Sequence, residues 1–180
     1  MDVDLSAVLD SAYWDVYGIT RVGTVSLSLA QRNEEGMEIV AETPVEIVIP
    51  DVSASLDGTG TEVYNSNGLK IVLKEMVEDP SDYSSDLYVL LLVENNSGKT
   101  LTIEDSYDSL SVNGFMTDYS FSGQSLADGM SAAMVIQLWE SSLEENKITS
   151  AADIQEIEMS LEIEEGNTTI DEPTVTLTFG

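Results

Sequence analysis

Acidic side chains are the residues best placed by number and type to do chemistry here: 34 of the 180 residues are Asp or Glu. They gather at Asp79, Asp82 and Asp86, at Asp105 and Asp108, and at Glu164, Glu165 and Asp171. The chemistry such groups would offer is calcium binding, because a hard cation takes several oxygen ligands. None of the three has the D-x-D-x-D-G spacing of a dedicated calcium loop, and in so acidic a chain such groupings follow from composition alone. Two carboxylates flanking a bond in a cleft would serve glycoside hydrolysis, yet nothing in the spacing singles out a pair. Trp14, Trp139, Tyr83, Tyr107 and Tyr119 carry rings that could stack on a sugar. Trp139 falls out of phase with Met134, Ile136 and Leu138, so it is expected to face away from their stripe and cover a sheet edge or a seam between domains. No catalytic, cofactor-binding or metal-ligating residue is assigned, and the chain is read as non-enzymatic and without a cofactor.

The charge balance narrows the partners. Six Lys and Arg against those acids leave a net charge of −28, which repels nucleic acid and anionic lipid. Cysteine and histidine are absent, so disulfides, thiolate nucleophiles, imidazole bases and soft-metal sites are excluded together. No apolar stretch reaches the length of a transmembrane helix. The opening Met1-Asp-Val-Asp4 has neither a basic n-region nor an apolar h-region, so an export signal is expected outside these residues.

The elements that must position any site are strands. Leu87-Tyr-Val-Leu-Leu-Leu-Val93 is the longest apolar run and ends abruptly in Glu-Asn-Asn-Ser-Gly98. Too short for a membrane and too unbroken for a half-wet strand, it predicts a central strand packed on both faces. Alternation with period two predicts further strands at Val22–Ala30, Met37–Glu42, Val45–Ile49, Leu69–Val77, Met134–Leu138, Ile157–Ile163 and Val175–Phe179, with Pro44 at a strand start. Turns are expected at Asn67-Gly68, Asn113-Gly114, Asp128-Gly129 and Gly166-Asn167. Ser141/Glu144 and Ser142/Glu145 both have capping-box spacing, predicting one helical turn tucked under the strands by Leu143 and Ile148.

The last fifty residues restate the first fifty. Leu5, Leu9, Trp14 and Ile19 repeat the spacing of Met134, Leu138, Leu143 and Ile148, and both runs lead into an alternating strand. Each passes through an acidic, Gly-containing turn and ends in a Pro-led strand. By this repeat Leu5–Leu9 is a strand and Tyr13–Tyr17 a helical turn, although the local periodicity alone reads as helix. The composition of Pro50–Thr61 marks a linker.

Residues from Asn67 onward resemble the uncharacterised immunoglobulin-like domains carried by secreted proteins and lipoproteins of Gram-positive gut anaerobes. The matching pieces are N-G-L-K-I-V-L at 67–73, L-L-V-E-N-N-S at 91–97, S-V-N-G-F-M at 111–116, L-E-E-N-K-I at 143–148 and the strand pair at 154–179. The family commonly has Gly where this chain has Lys147; the first repeat keeps it as Gly18. The resemblance implies an extracytoplasmic β-sandwich, often in tandem and often tethered by an N-terminal lipid, with no catalytic residues. The lipid-bearing cysteine is absent here.

The resulting expectation is an all-β chain: a partial copy, the C-terminal half of a β-sandwich, at 1–50; a linker at 51–61; and a complete immunoglobulin-like Greek-key β-sandwich at 62–180. Its function is expected to be that of an extracellular or cell-surface module of a secreted bacterial protein, acting as spacer, scaffold or protein-binding domain. The partner would be an unidentified protein or cell-surface component, with self-association through the N-terminal half-domain also expected. A carbohydrate- or calcium-binding adhesin is the alternative.

Overall fold

A computed structural model describes residues 13–19, 24–33, 39–48, 56–78 and 84–179. The chain divides into two compact units, Met1–Asp57 and Gly58–Gly180.

The second unit is built from antiparallel sheets, consistent with a β-sandwich. One sheet has the order β3 (Thr61–Ser66), β4 (Leu69–Glu78), β5 (Leu87–Asn95), β11 (Ser131–Leu138), β9 (Tyr119–Phe121). The long apolar run is thus the middle strand of five. Val89, Leu91 and Val93 point into the core, while Leu90 and Leu92 on the opposite face are also fully buried, which accounts for a run with no polar alternation. The other sheet is organised on β12 (Glu156–Glu165). The first half of β12 lies between β14 (Thr174–Thr178) and β7 (Ser111–Val112), and its second half between β13 (Thr168–Asp171) and β6 (Leu101–Asp105). The hairpin strand β8 (Phe115–Met116) extends β7, and β10 (Gln124–Leu126) extends β6.

Period-two patterning fills the core. Ile157, Met159, Leu161 and Ile163 of β12 and Val175 and Leu177 of β14 meet Leu69, Ile71, Met134, Ile136 and Leu138 in one apolar cluster. Asn67 and Asn113 take positive φ (52° and 51°), each followed by a positive-φ glycine, as a two-residue hairpin turn requires. Gly68 serves a second need: a Cβ there would lie 2.7 Å from the Asn96 carbonyl oxygen. The β3–β4 turn therefore sits directly on the turn after β5.

The helix differs from its expected start. It runs from Glu140 to Glu145 (α1) with Trp139 at the N-cap and no side-chain cap of its own. Ser141 and Ser142 lie inside it, and Ser142 Oγ accepts the Asp118 N–H at 2.8 Å. The free first-turn N–H of Glu140 is bound instead by Asp86 Oδ1 at 2.8 Å, a cap delivered from the loop before β5 that local spacing cannot reveal. Leu143 and Ile148 do tuck beneath the strands. The exit from α1 uses a left-handed Lys147 (φ 62°), with Lys147 N–H donating to Glu144 and Ile148 N–H to Leu143, both at 2.9 Å. A non-glycine residue there is strained by about 1 kcal/mol. Lys147→Gly is accordingly expected to raise the thermal midpoint by a few degrees in a calorimetric scan.

In the first unit, residues 13–19 form a tight turn. Gly18 has φ 65°, its N–H donates to the Asp15 carbonyl at 3.2 Å, and Ile19 N–H donates to the Trp14 carbonyl at 2.8 Å. Strand β1 (Thr24–Arg32) then pairs antiparallel with β2 (Ile39–Val48). The strand expected to stop and restart around Pro44 is one continuous element. Pro44 lies opposite Ser28, and having no N–H it fits only at a non-hydrogen-bonded pair, where it removes nothing from the ladder. The expected strand at Leu5–Leu9 lies outside the described residues, as do 51–55 of the expected linker.

Candidate functional site

The acidic residues singled out by the sequence are not brought together. Asp79 and Asp82 lie outside the described residues. Asp86 holds the start of α1 and accepts a second hydrogen bond from Gln137 Nε2 at 2.8 Å. Asp105 accepts from the Tyr119 hydroxyl, and Asp171 from the Tyr64 hydroxyl at 2.7 Å. Glu165 pairs with Lys99, while Asp108 occupies a left-handed turn position (φ 49°). Among the described residues no three acids converge as a cation site.

The two tyrosine–aspartate contacts have a structural role that the sequence did not show. Each ties one sheet to the other: Tyr64 on β3 to Asp171 on β13, and Tyr119 on β9 to Asp105 on β6. Burial first, and the adjacent carboxylate second, push both phenols up to about 12. A phenol raised above its unfolded value of about 10 contributes stability that is present below that value and is lost as pH climbs through the folded one. The thermal midpoint is therefore expected to fall between about pH 10 and about pH 12. In Tyr64→Phe/Tyr119→Phe that decline becomes shallower, measured by scanning calorimetry across the range.

Two asparagines also escaped notice as anchors. Asn95 is 0 % exposed. Its Nδ2 donates to the Lys99 and Leu126 carbonyls at 2.8 and 2.7 Å, and its Oδ1 accepts the Ser97 N–H at 3.0 Å. Asn113, beyond its turn conformation, donates from Nδ2 to the Asp153 carbonyl and accepts the Gln155 and Glu156 N–H groups, fixing the entry to β12. The nearby Asp153 carboxylate takes the N–H and hydroxyl groups of both Thr149 and Ser150. Those bonds, the Thr149 backbone N–H foremost, hold its pKa below the ordinary value.

The aromatic candidates are likewise scattered. Tyr107 is 91 % exposed and Trp139 is 40 % exposed, out of the core as its phase predicted. Tyr119 is committed to Asp105, and Tyr83 lies outside the described residues. A cleft of about 370 Å³ beside α1 is lined by Glu78, Glu140 and Glu144 together with the buried Leu87, Leu143 and Ile148. It offers carboxylate acceptors but no thiol or imidazole, and Glu140 already accepts the Ser85 N–H.

The exposed edges are more distinctive than the concave surface. The β7–β8 hairpin displays Phe115 and Met116 to solvent. In the first unit β2 displays Ile39, Val40, Ile47 and Val48. Among the described residues no helix is long and apolar enough to cross a membrane.

No protein-family model matches this chain, and no curated protein matches it in sequence. Among solved structures it is similar to a putative lipoprotein (ycdA) from Bacillus subtilis, with 15% identity and a TM-score of 0.40. The match covers 67% of this chain and 39% of that one, so it spans well under half of the bacillar protein.

Proposed function

We propose that the chain is a non-enzymatic, extracytoplasmic surface module of a bacterial protein, acting as a spacer, scaffold or protein-binding domain. On this reading the second unit is a complete immunoglobulin-like Greek-key sandwich, and the first unit is a partial copy of its closing half.

One observation carries the proposal: the two hairpins share a register. In the first unit Val25 faces Ile47 and Leu27 faces Val45, with a bulge between Gln31 and Arg32. In the second, Ile157 faces Leu177 and Met159 faces Val175, with a bulge between Ile163 and Glu164. Counting from Val25 and Ile157, the bulge falls at the same step. The turns leading into the hairpins support the same pairing, since Gly18 and Lys147 share a left-handed φ and the following Ile N–H donates five residues back in both. Repeated sandwich units present surfaces and edges at fixed spacing, a task that needs no cleft. The polar groups described above serve that end, since they fasten turns and sheets to each other. A net charge of −28 keeps such an array solvated and apart from its neighbours. The resemblance of Asn67 onward to domains of secreted proteins supports the location.

Antibody raised against the second unit tests the location. It is expected to label intact cells of the producing organism and to lose its target when they are shaved with protease. Labelling only after lysis would contradict the reading.

A further inference from the structure

We propose that Asn67 is a self-modifying site: the Gly68 nitrogen attacks its side-chain amide, ammonia is lost, and water leaves aspartate or isoaspartate in its place. The reaction needs only water, so it stands apart from the surface-module reading.

Sequence and turn geometry supply the reactants. A glycine after an asparagine leaves the attacking nitrogen with no neighbouring Cβ to shield it. The chain has two such pairs, Asn67-Gly68 and Asn113-Gly114. Each forms a two-residue turn, with φ of 52° and 82° in the first and 51° and 80° in the second. The hydrogen bond across such a turn is donated by the residue after the glycine, so the glycine nitrogen is not the one held. On backbone conformation alone the two asparagines would react alike.

Side-chain contacts separate them. Asn113 Nδ2 donates to the Asp153 carbonyl at 2.8 Å, and its Oδ1 accepts the Gln155 and Glu156 N–H groups at 2.9 and 3.2 Å. Its Cγ reaches the Gly114 nitrogen only after those bonds break. Asn67 is exposed, and its side chain hydrogen-bonds none of the described residues. The guarded turn is the one that fixes the entry to β12; the β3–β4 turn has no such guard.

In the reaction the Gly68 nitrogen bonds to Asn67 Cγ, the Cγ–Nδ2 bond breaks, and the Gly68 amide proton departs with the ammonia. The resulting cyclic imide takes up one water. Opening at the former side-chain carbonyl gives aspartate. Opening at the backbone carbonyl gives isoaspartate, in which the main chain runs through the side chain and gains one carbon.

That extra carbon falls where the fold has no slack. The Gly68 carbonyl accepts the Asn96 N–H at 2.7 Å, and a Cβ on Gly68 would lie 2.7 Å from both the Asn96 carbonyl oxygen and Ser97 Cα. A lengthened turn cannot hold Ser66 opposite Leu69 and also keep Gly68 seated on the turn after β5. Strand β3, outermost in its sheet, is therefore loosened in molecules that have reacted.

The test follows the full chain through incubation at mildly alkaline pH, with peptide mapping by mass spectrometry. Asn67 is expected to acquire the amide-to-acid mass gain about tenfold or more faster than Asn113. In concentrated urea the two are expected to convert at similar rates. Isoaspartate is expected at position 67, with amide exchange at Asn96 about tenfold faster in that fraction than in unreacted chain. Asn67→Asp adds the charge without lengthening the chain, and is expected to leave Asn96 exchange slow. The proposal is overturned if Asn113 converts as fast as Asn67 in the folded chain. It is equally overturned if Asn67 stays an amide while the urea-treated chain converts, or if Asn96 exchange is unchanged in the isoaspartyl fraction.

Discussion

Asn95→Leu is expected to destabilise the second unit by about 4 kcal/mol, lowering the denaturation midpoint with little change in slope. The side chain is isosteric enough to fit, but it can make none of the three hydrogen bonds that Asn95 supplies to Lys99, Leu126 and Ser97. Each orphaned buried group costs roughly 1–3 kcal/mol. The position is also where the ends of three strands meet: Asn95 N–H donates to the Met130 carbonyl, and its own carbonyl accepts the Gly129 N–H. Asn95→Asp gives a sharper signature. Its carboxylate would face two carbonyl oxygens from inside the protein, so that variant is expected to be more stable at pH 4 than at pH 7.

Leu91→Ala is the second large effect, expected at about 3 kcal/mol in equilibrium unfolding. Leu91 is on the middle strand of the five-stranded sheet, between Leu73 on β4 and Met134 on β11, all three within the core cluster. Flanked on both sides by paired strands, the site has little freedom to collapse around the lost methyl groups, which is why the cost exceeds the transfer term alone. Tyr107→Ala, at a fully solvated position, is expected to change stability by less than about 0.5 kcal/mol.

These cases separate what the sequence disclosed from what it did not. Period two placed Ile157 to Ile163 and Met134 to Leu138 in the core because each residue's face follows from counting along one strand. Asn67-Gly68 and Asn113-Gly114 were legible for a similar reason: positive φ is a local demand with few residues able to meet it. Asp86 as the cap of α1 was not legible, because its partner Glu140 is distant in sequence and the serines inside the helix gave a competing local signal. Nor were the tyrosine–aspartate ties between sheets, since Tyr64 and Asp171 are brought together only by the packing of β3 against β13. Pro44 misled by a different route. Its missing N–H suggested a strand start, whereas it lies inside a continuous β2, opposite Ser28, a place a proline can take when its nitrogen faces away from the partner strand.

The candidate site fared in the same way. Weighed as calcium ligands, the acidic groupings follow from composition, and no metal ligand is assigned; what the sequence could not show is that Asp86, Asp105 and Asp171 accept hydrogen bonds from Glu140 N–H, the Tyr119 hydroxyl and the Tyr64 hydroxyl.

The likeness of the two hairpins is tested most directly by cross-strand NOEs between α-protons in the full chain. A non-hydrogen-bonded pair brings its α-protons nearest to each other, so strong contacts are expected between Ser28 and Pro44 and, equivalently, between Ser160 and Thr174. A contact from Ser28 to Thr43 or Val45 instead, with Ser160 still on Thr174, would put the hairpins in different registers and contradict the account.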